Sequence, residues 1–222
     1  MSSRPKKGTP SLFAAAGLER EAPRPLADKL RPEKLAEVVG QDHLLGPDGA
    51  LTRMLETRSL GSLIFWGPPG TGKTTVARLL AHATDLHFEQ ISAIYSGVAD
   101  LKKVFDAARA RRETGQGTLL FVDEIHRFNR AQQDSFLPVV EDGTIVLVGA
   151  TTENPSFELN GALLSRAQVL VLRRLDDAAL ETLLERAEAH YGEKLPLTDD
   201  ARASLRAMAM ESSLLTVMTS ST

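Results

Sequence analysis

The sequence predicts an α/β fold, a mostly parallel sheet sandwiched between helices, and three observations carry that reading. Five short apolar runs have strand character: Leu63–Trp66, Leu86–Ile91, Thr118–Val122, Thr144–Val148 and Gln168–Leu172. Segments of helical period and crossover length separate them, with candidates at Val98–Arg112, Arg130–Val140 and Asp176–His190. A glycine-rich loop joins the first run to a further helical pattern, Thr75-Val76-Ala77-Arg78-Leu79-Leu80.

Residues 1–34 stand apart from this pattern. They carry eight Lys/Arg against four Asp/Glu and are rich in Pro, Ser, Gly and Ala, which reads as a disordered, solvated leader. The apolar patch Ser11-Leu12-Phe13-Ala14-Ala15 within it is either a short peptide that docks on a partner such as a sliding clamp or an incidental cluster. Order increases from Leu35. Leu51, Met54 and Leu55 share one face of a predicted helix, with Gly61 as its stop. After the last strand, Leu197-Thr198-Asp199-Asp200 offers caps for a helix over Ala201–Met208. The final stretch from Glu211 to Thr222 has no clear period and reads as a frayed tail.

At 222 residues, 42% apolar and 25% charged, the chain can hold one good-sized domain and part of another. No run approaches membrane-span length, and the N-terminus lacks the apolar core of a signal peptide. With no cysteine, disulfides, thiolate chemistry and cysteine-based zinc sites are excluded, and a reducing compartment fits. A net charge of −3 gives no general attraction to nucleic acid. Any such contact must be local, from the leader or from basic positions such as Arg127 and Arg130.

Chemistry enters at Gly67-Pro68-Pro69-Gly70-Thr71-Gly72-Lys73-Thr74, a complete phosphate-binding loop between a strand and a helix. Its glycines let the backbone wrap phosphates ahead of a helix N-terminus, which continues at Thr75. Lys73 can reach the β- and γ-phosphates, and the Thr74 hydroxyl can ligate Mg²⁺. The ligand is a nucleoside triphosphate. Further on, Leu119-Leu120-Phe121-Val122 ends in Asp123 and Glu124. Asp123 is placed to hold Mg²⁺ through its water shell, and Glu124 to orient and deprotonate the attacking water.

Two more positions are less determined by the residues alone. Past the run Val146-Leu147-Val148, Thr152 first and Asn154 second are candidates to contact the water or γ-phosphate, against an ordinary turn or helix-cap role. Arg166, between a short helix and the last strand, is either a surface arginine or a cation that reaches a neighbouring subunit's nucleotide.

These elements, in this order, resemble an AAA+ ATPase. Pro25-Leu26-Ala27-Asp28-Lys29-Leu30-Arg31-Pro32 and Val39-Gly40-Gln41-Asp42-His43-Leu44-Leu45 are similar to the entry segment of the clamp-loader-like branch. Three longer stretches resemble the bacterial replication-associated recombination ATPase family, which is related to the Werner-helicase-interacting ATPase. They run over 121–129, 132–138 and 149–160 and include Asp123-Glu124-Ile125-His126-Arg127-Phe128-Asn129 and Gly149-Ala150-Thr151-Thr152-Glu153-Asn154.

The resemblance implies a five-stranded sheet of order 5-1-4-3-2 and an ATP- and Mg²⁺-dependent ATPase. It implies action on DNA forks and single-strand/duplex junctions during repair, recombination and replication restart. It also implies contact with single-stranded-DNA-binding protein, assembly into homo-oligomers through a C-terminal domain, and a cytoplasmic, nucleoid-associated location. Lys73, Thr74, Asp123 and Glu124 match the family's phosphate and Mg²⁺ residues. Thr152 matches its polar sensor, Arg166 its arginine finger, and Val38, Val39 and Gly40 its adenine-pocket wall. The implied organisation is a leader (1–24), a nucleotide-binding core (25–174), the start of a helical lid (175–209) and an atypical tail (210–222). From Met210 the sequence departs from the family, so the chain is expected to stop before the lid is complete and to be mainly monomeric. A nucleotide-binding fragment with little turnover and a Holliday-junction branch-migration motor are the alternatives.

Overall fold

A computed structural model describes residues 29–208 of the chain. The chain divides into two units, Met1–Arg31 and Pro32–Thr222, and the architecture below is that of the second. The leader over 1–24, its patch at Ser11–Ala15 and the tail over 210–222 lie outside the described residues.

Five strands form one parallel sheet: β1 (Ser62–Trp66), β2 (His87–Ser92), β3 (Thr118–Asp123), β4 (Ile145–Thr151) and β5 (Ala167–Val171). Their order is β2-β3-β4-β1-β5, the expected 5-1-4-3-2 read from the other edge. Helices α1 (Asp42–Leu45) and α2 (Ala50–Glu56) precede the sheet. The longer crossovers are α3 (Lys73–Ala83), between β1 and β2, and α4 (Val98–Glu113), between β2 and β3. Short helices α5 (Arg130–Asp134), α6 (Phe136–Glu141), α7 (Pro155–Glu158) and α8 (Gly161–Leu164) lead to β4 and β5, and α9 (Asp177–Tyr191) follows. A tenth helix, α10, covers residues 199–208. Thr198 caps it, its hydroxyl accepting from Ala201 N–H at 3.2 Å.

The sheet is covered on both faces, which is why its central strands read as unbroken apolar runs. Leu63, Phe65, Leu119, Phe121, Val148 and Ala150 pack with Leu51, Val76, Ala77 and Leu80 on one face. Ile64, Leu120, Val122 and Leu147 pack with Phe105, Phe136, Val139 and Ile125 on the other. Each such Leu, Ile or Phe contributes about 1.5–3 kcal/mol by leaving water.

Two differences from the sequence reading have physical causes. The single helix expected over Arg130–Val140 is broken at Ser135 into α5 and α6. Pro138 has no N–H to give the Asp134 carbonyl and its ring crowds that position, so it is accommodated only in the first turn of a new helix. Strand β4 runs past Val148 through Gly149, Ala150 and Thr151, because these residues pair in register with Ile64, Phe65 and Trp66.

Gly149 is the point of closest approach in that extension. A Cβ there would stand 2.8 Å from Ile125 Cδ1 and 2.9 Å from Ile64 Cδ1, both in fully buried side chains. The missing side chain makes room for Ile125, which in turn seats the segment that follows β3. Gly149→Ala is therefore expected to destabilise the fold by about 1–3 kcal/mol, the usual cost of overpacking a dense core. Urea unfolding of the two proteins, compared at equal m-value, measures it.

Candidate active site

The glycine-rich loop leaves the C-terminal end of β1, where Gly67 N–H donates to the Thr151 carbonyl at 3.2 Å. Gly67 also lies against the chain after β5, since a Cβ would fall 2.2 Å from the Leu172 carbonyl oxygen. Gly70 (φ +77°) and Gly72 (φ +89°) take left-handed conformations that an L side chain resists, and nothing lies within 4 Å of a Cβ built on either. The loop is thus open where a phosphate would enter. Thr71, buried, donates its hydroxyl to the Pro68 carbonyl at 3.0 Å and holds the loop's curve between Pro68, Pro69 and Gly70.

Lys73 is the first residue of α3 and is buried. Its ammonium donates to the Gly67 carbonyl at 2.7 Å and the Pro68 carbonyl at 2.8 Å. Burial holds its pKa below the ordinary lysine value, and the nearby carboxylates of Glu124 and then Asp123 oppose that shift. Thr74 and Thr75 follow in the first turn of the helix. Cation, two acids and a helix N-terminus therefore meet at one end of the sheet.

Asp123 ends β3 beside Ser92 of β2, and its carbonyl accepts from Ala93 N–H at 2.9 Å. The next residue, Glu124, adopts φ 54° and ψ 44°, a left-handed conformation that costs a non-glycine residue about 1–3 kcal/mol. It turns the chain sharply into the one-turn helix Ile125–Arg127, with Ile125 buried in the core. Side chains with this much constraint are held where they are needed. His126 follows, with Nε2 at 3.3 Å from Glu124 Oε2 and Nδ1 at 2.9 Å from Thr151 Oγ1.

Thr152 is the first residue beyond β4, half-buried, at the same end of the sheet as Glu124. Asn154, the second candidate for that role, is committed elsewhere: its Oδ1 accepts from Ser156 N–H at 3.0 Å and caps α7. Val38, Val39 and Gly40 are half-buried. Gly40, at φ +73°, would carry a Cβ 2.7 Å from Leu175 Cδ2 and 3.3 Å from Ala179 Cβ. The segment is thereby seated against the start of α9. Its anchor is Gln41, fully buried, whose amide donates to the Arg173 carbonyl at 2.7 Å and accepts from Arg173 N–H at 3.0 Å.

Arg166 is not part of this cluster. It precedes β5, whose Ala167 pairs with Ser62 at the opposite end of β1 from the phosphate loop. Four residue steps at about 3.3 Å put roughly 13 Å between the two ends. The guanidinium is bound locally, to Glu141 Oε1 at 2.6 Å from Nε, to the Ala162 carbonyl at 2.8 Å and to Ser165 Oγ at 3.0 Å. Arg127 and Arg130 are exposed.

Among the described residues, no group of three or more His, Asp or Glu converges on a metal position. The donor set at the loop fits Mg²⁺ nonetheless. That ion is commonly held by one or two protein oxygens together with substrate phosphates and water, and Thr74 and Asp123 supply such oxygens. None of the described helices is long and apolar enough to cross a membrane.

An open glycine-rich loop, a buried lysine and paired acids at the ends of parallel strands have the pattern of a phosphate-loop nucleotide site. A sequence model of the ATPase family associated with various cellular activities (AAA) matches residues 63–175, and the chain belongs to that family. Among curated proteins it is similar to replication-associated recombination protein A of Escherichia coli K12, 49% identical over 187 residues covering 82% of this chain and 42% of that protein. The Coxiella burnetii protein of the same name is 55% identical over 166 residues, covering 75% and 37%. ATPase WRNIP1 of Dictyostelium discoideum is 45% identical over 188 residues, covering 85% and 21%. The chain thus spans about two fifths of the length of its bacterial relatives. Among solved structures, the Thermotoga maritima RuvB Holliday junction branch migration motor superposes with a TM-score of 0.60 at 28% identity, over 73% of this chain and 55% of that one. The family resemblance carried by residues 121–129, 132–138 and 149–160 agrees with these relatives.

Sequence reasoning named the loop and acid residues as candidates but gave no separate weight to Gln41, His126, Thr151 or Glu141. For Gln41 the prediction is direct. Gln41→Ala removes both hydrogen bonds to the Arg173 backbone, each contributing about 0.5–1.5 kcal/mol. ATP affinity should fall several-fold with the loosened Val38–Gly40 wall, as nucleotide titration by calorimetry would record. Unchanged affinity would separate the wall from Gln41.

Proposed function

We propose that this chain is the nucleotide-binding core of an AAA+ protein that hydrolyses ATP to act on DNA at stalled or damaged replication forks. The observation that carries the reading is the buried Lys73 ammonium on the loop carbonyls, opposed by Glu124 and Asp123. An incoming triphosphate offers that ammonium anionic oxygens in place of neutral carbonyls. Bound Mg²⁺ would draw charge from the β- and γ-phosphate oxygens. Thr74 and Asp123 would hold it, Gly67–Gly72 and Thr75 would surround the phosphates, and Val38, Val39 and Gly40 would wall the adenine. Glu124 receives the proton of the attacking water, and Thr152 orients that water or the γ-phosphate.

Arg166 lies near the opposite end of β1 from its own phosphate loop, and its proposed role is to serve a neighbouring subunit. A homo-oligomer then forms the complete site, and this chain alone is mainly monomeric with slow turnover. DNA junctions and single-stranded-DNA-binding protein are the proposed partners, and the proposed location is cytoplasmic and nucleoid-associated. The names of the relatives support a role in replication and recombination. RuvB favours a branch-migration motor as the second reading. The recombination relatives, at 49% and 55% identity against 28%, favour the first.

In a full-length form, Glu124→Gln is expected to bind ATP and lose turnover, because it removes the base and leaves the phosphate contacts. Lys73→Ala is expected to lose binding. Arg166→Ala should bind normally and hydrolyse about 10³-fold or more slowly. Mixing Arg166→Ala with Lys73→Ala should restore part of the rate, since each subunit supplies what the other lacks. Steady-state ATPase assays with and without forked DNA measure all of these. Mixed oligomers no faster than either variant would remove the trans role, and equal ATP affinity in the Glu124 and Lys73 variants would remove the division between base and anchor.

A further inference from the structure

Next to the acid assigned as base sits an imidazole that the chemistry above does not use. The His126 side chain is only 5% exposed. Its Nδ1 faces Thr151 Oγ1 at 2.9 Å. Its Nε2 is buried, lies 3.3 Å from Glu124 Oε2, and makes no well-formed hydrogen bond to any described group. A buried ring nitrogen without a well-formed hydrogen bond is costly, and the Glu124 carboxylate at 3.3 Å is an acceptor it can reach.

Counting protons assigns the ring. Thr151 Oγ1 carries one proton and already accepts from Glu153 N–H at 3.0 Å. It can donate to the Glu153 carbonyl at 3.2 Å or to His126 Nδ1 at 2.9 Å. Donation to Nδ1 leaves the neutral ring's own proton on Nε2, facing the carboxylate. Donation to Glu153 puts that proton on Nδ1 and turns a lone pair on Nε2 toward an anionic oxygen, which is repulsive. Distance and electrostatics select the first arrangement.

We propose that His126 is a positioning residue for ATP hydrolysis. Held by Thr151 as the Nε2–H tautomer, it fixes Glu124 through Oε2 and leaves Oε1 free for the proton of the attacking water. The inference rests on the ATPase reading. Two features converge on it. Glu124 has a left-handed backbone just past the end of β3, and its Oε2 lies 3.3 Å from His126 Nε2. Thr151 also closes the turn to Glu153 that contains Thr152. One imidazole thus ties the base to the turn that bears the polar sensor.

The test pairs kinetics with a direct view of the ring. His126→Ala should lower kcat about ten- to a hundredfold, the usual range for an outer-shell partner, with ATP affinity unchanged. His126→Gln places an N–H donor near the Nε2 position and should recover most of the rate. His126→Asn places its polar atoms near Nδ1, keeps only the Thr151 contact, and should stay slow. A structural role would be rescued by both or by neither. Independently of turnover, ¹⁵N-detected NMR of the labelled chain should show His126 protonated at Nε2, with the signal assigned by its loss in His126→Gln. Thr151→Val should convert it to a mixture of tautomers. A full wild-type kcat in His126→Ala, or an Nδ1–H ring in the wild type, would overturn the proposal. A wild-type full-length form that hydrolyses no ATP would count against the ATPase reading itself, and the ring tautomer would still decide whether His126 is set to hold Glu124.

Discussion

A buried ammonium needs anions, and the arrangement at the C-terminal end of this sheet follows from supplying them to Lys73. Two backbone carbonyls hold the charge from the loop itself, and Glu124 and Asp123, at the end of β3, oppose the effect of burial. The parallel topology makes this possible. β1 and β3 point the same way, with β4 between them, so the loop after one and the acids after the other emerge at the same edge. The carbonyls are weaker partners than phosphate oxygens, and a site built this way gains when a triphosphate displaces them.

The second constraint is steric and lies one layer deeper. Gly149 gives up its side chain so that Ile125 can pack across β4, and Ile125 fixes where the chain goes after Glu124. The left-handed turn at Glu124, the buried His126 and the hydroxyl of Thr151 then form a chain of contacts from one strand end to the next. Residues that carry the chemistry are thus positioned by residues that carry none. The Gln41 pairing with Arg173 anchors the segment after Val38–Gly40, joining positions 132 residues apart in sequence. Arg166, by contrast, is held by Glu141 at the far end of the sheet.

The fold was legible because its signals are local. Apolar runs bounded by turns marked all five strands to within a few residues, and the phosphate loop is a contiguous motif whose neighbours can be read directly. Boundaries moved where a long-range contact decided them, as at Gly149–Thr151, whose pairing with β1 no local pattern reveals. The break at Ser135 had a local cause in Pro138 that helical periodicity overrode. The acids, Lys73 and Thr74 were legible for the same reason as the loop. His126, Gln41 and Glu141 were not, because each acts through a partner far along the chain: Thr151, Arg173 and Arg166. The sequence ranks Thr152 ahead of Asn154, and the structure adds that Asn154 caps α7 through Ser156.

The claim on which the account turns is that Lys73 is a desolvated cation waiting for phosphate, and proton linkage tests it most directly. With its pKa depressed in the free chain, Lys73 loses its proton earlier than an ordinary lysine as pH rises, and phosphate oxygens should restore the proton on binding. Calorimetric titration with ATP and Mg²⁺ at alkaline pH, in buffers of different ionisation enthalpy, measures that uptake, since the nucleotide's own phosphates are then fully ionised. The account predicts net proton uptake in the wild-type chain that grows with pH, and no such uptake in whatever binding Lys73→Met retains. Binding without proton uptake, or uptake of equal size in the variant, would contradict it.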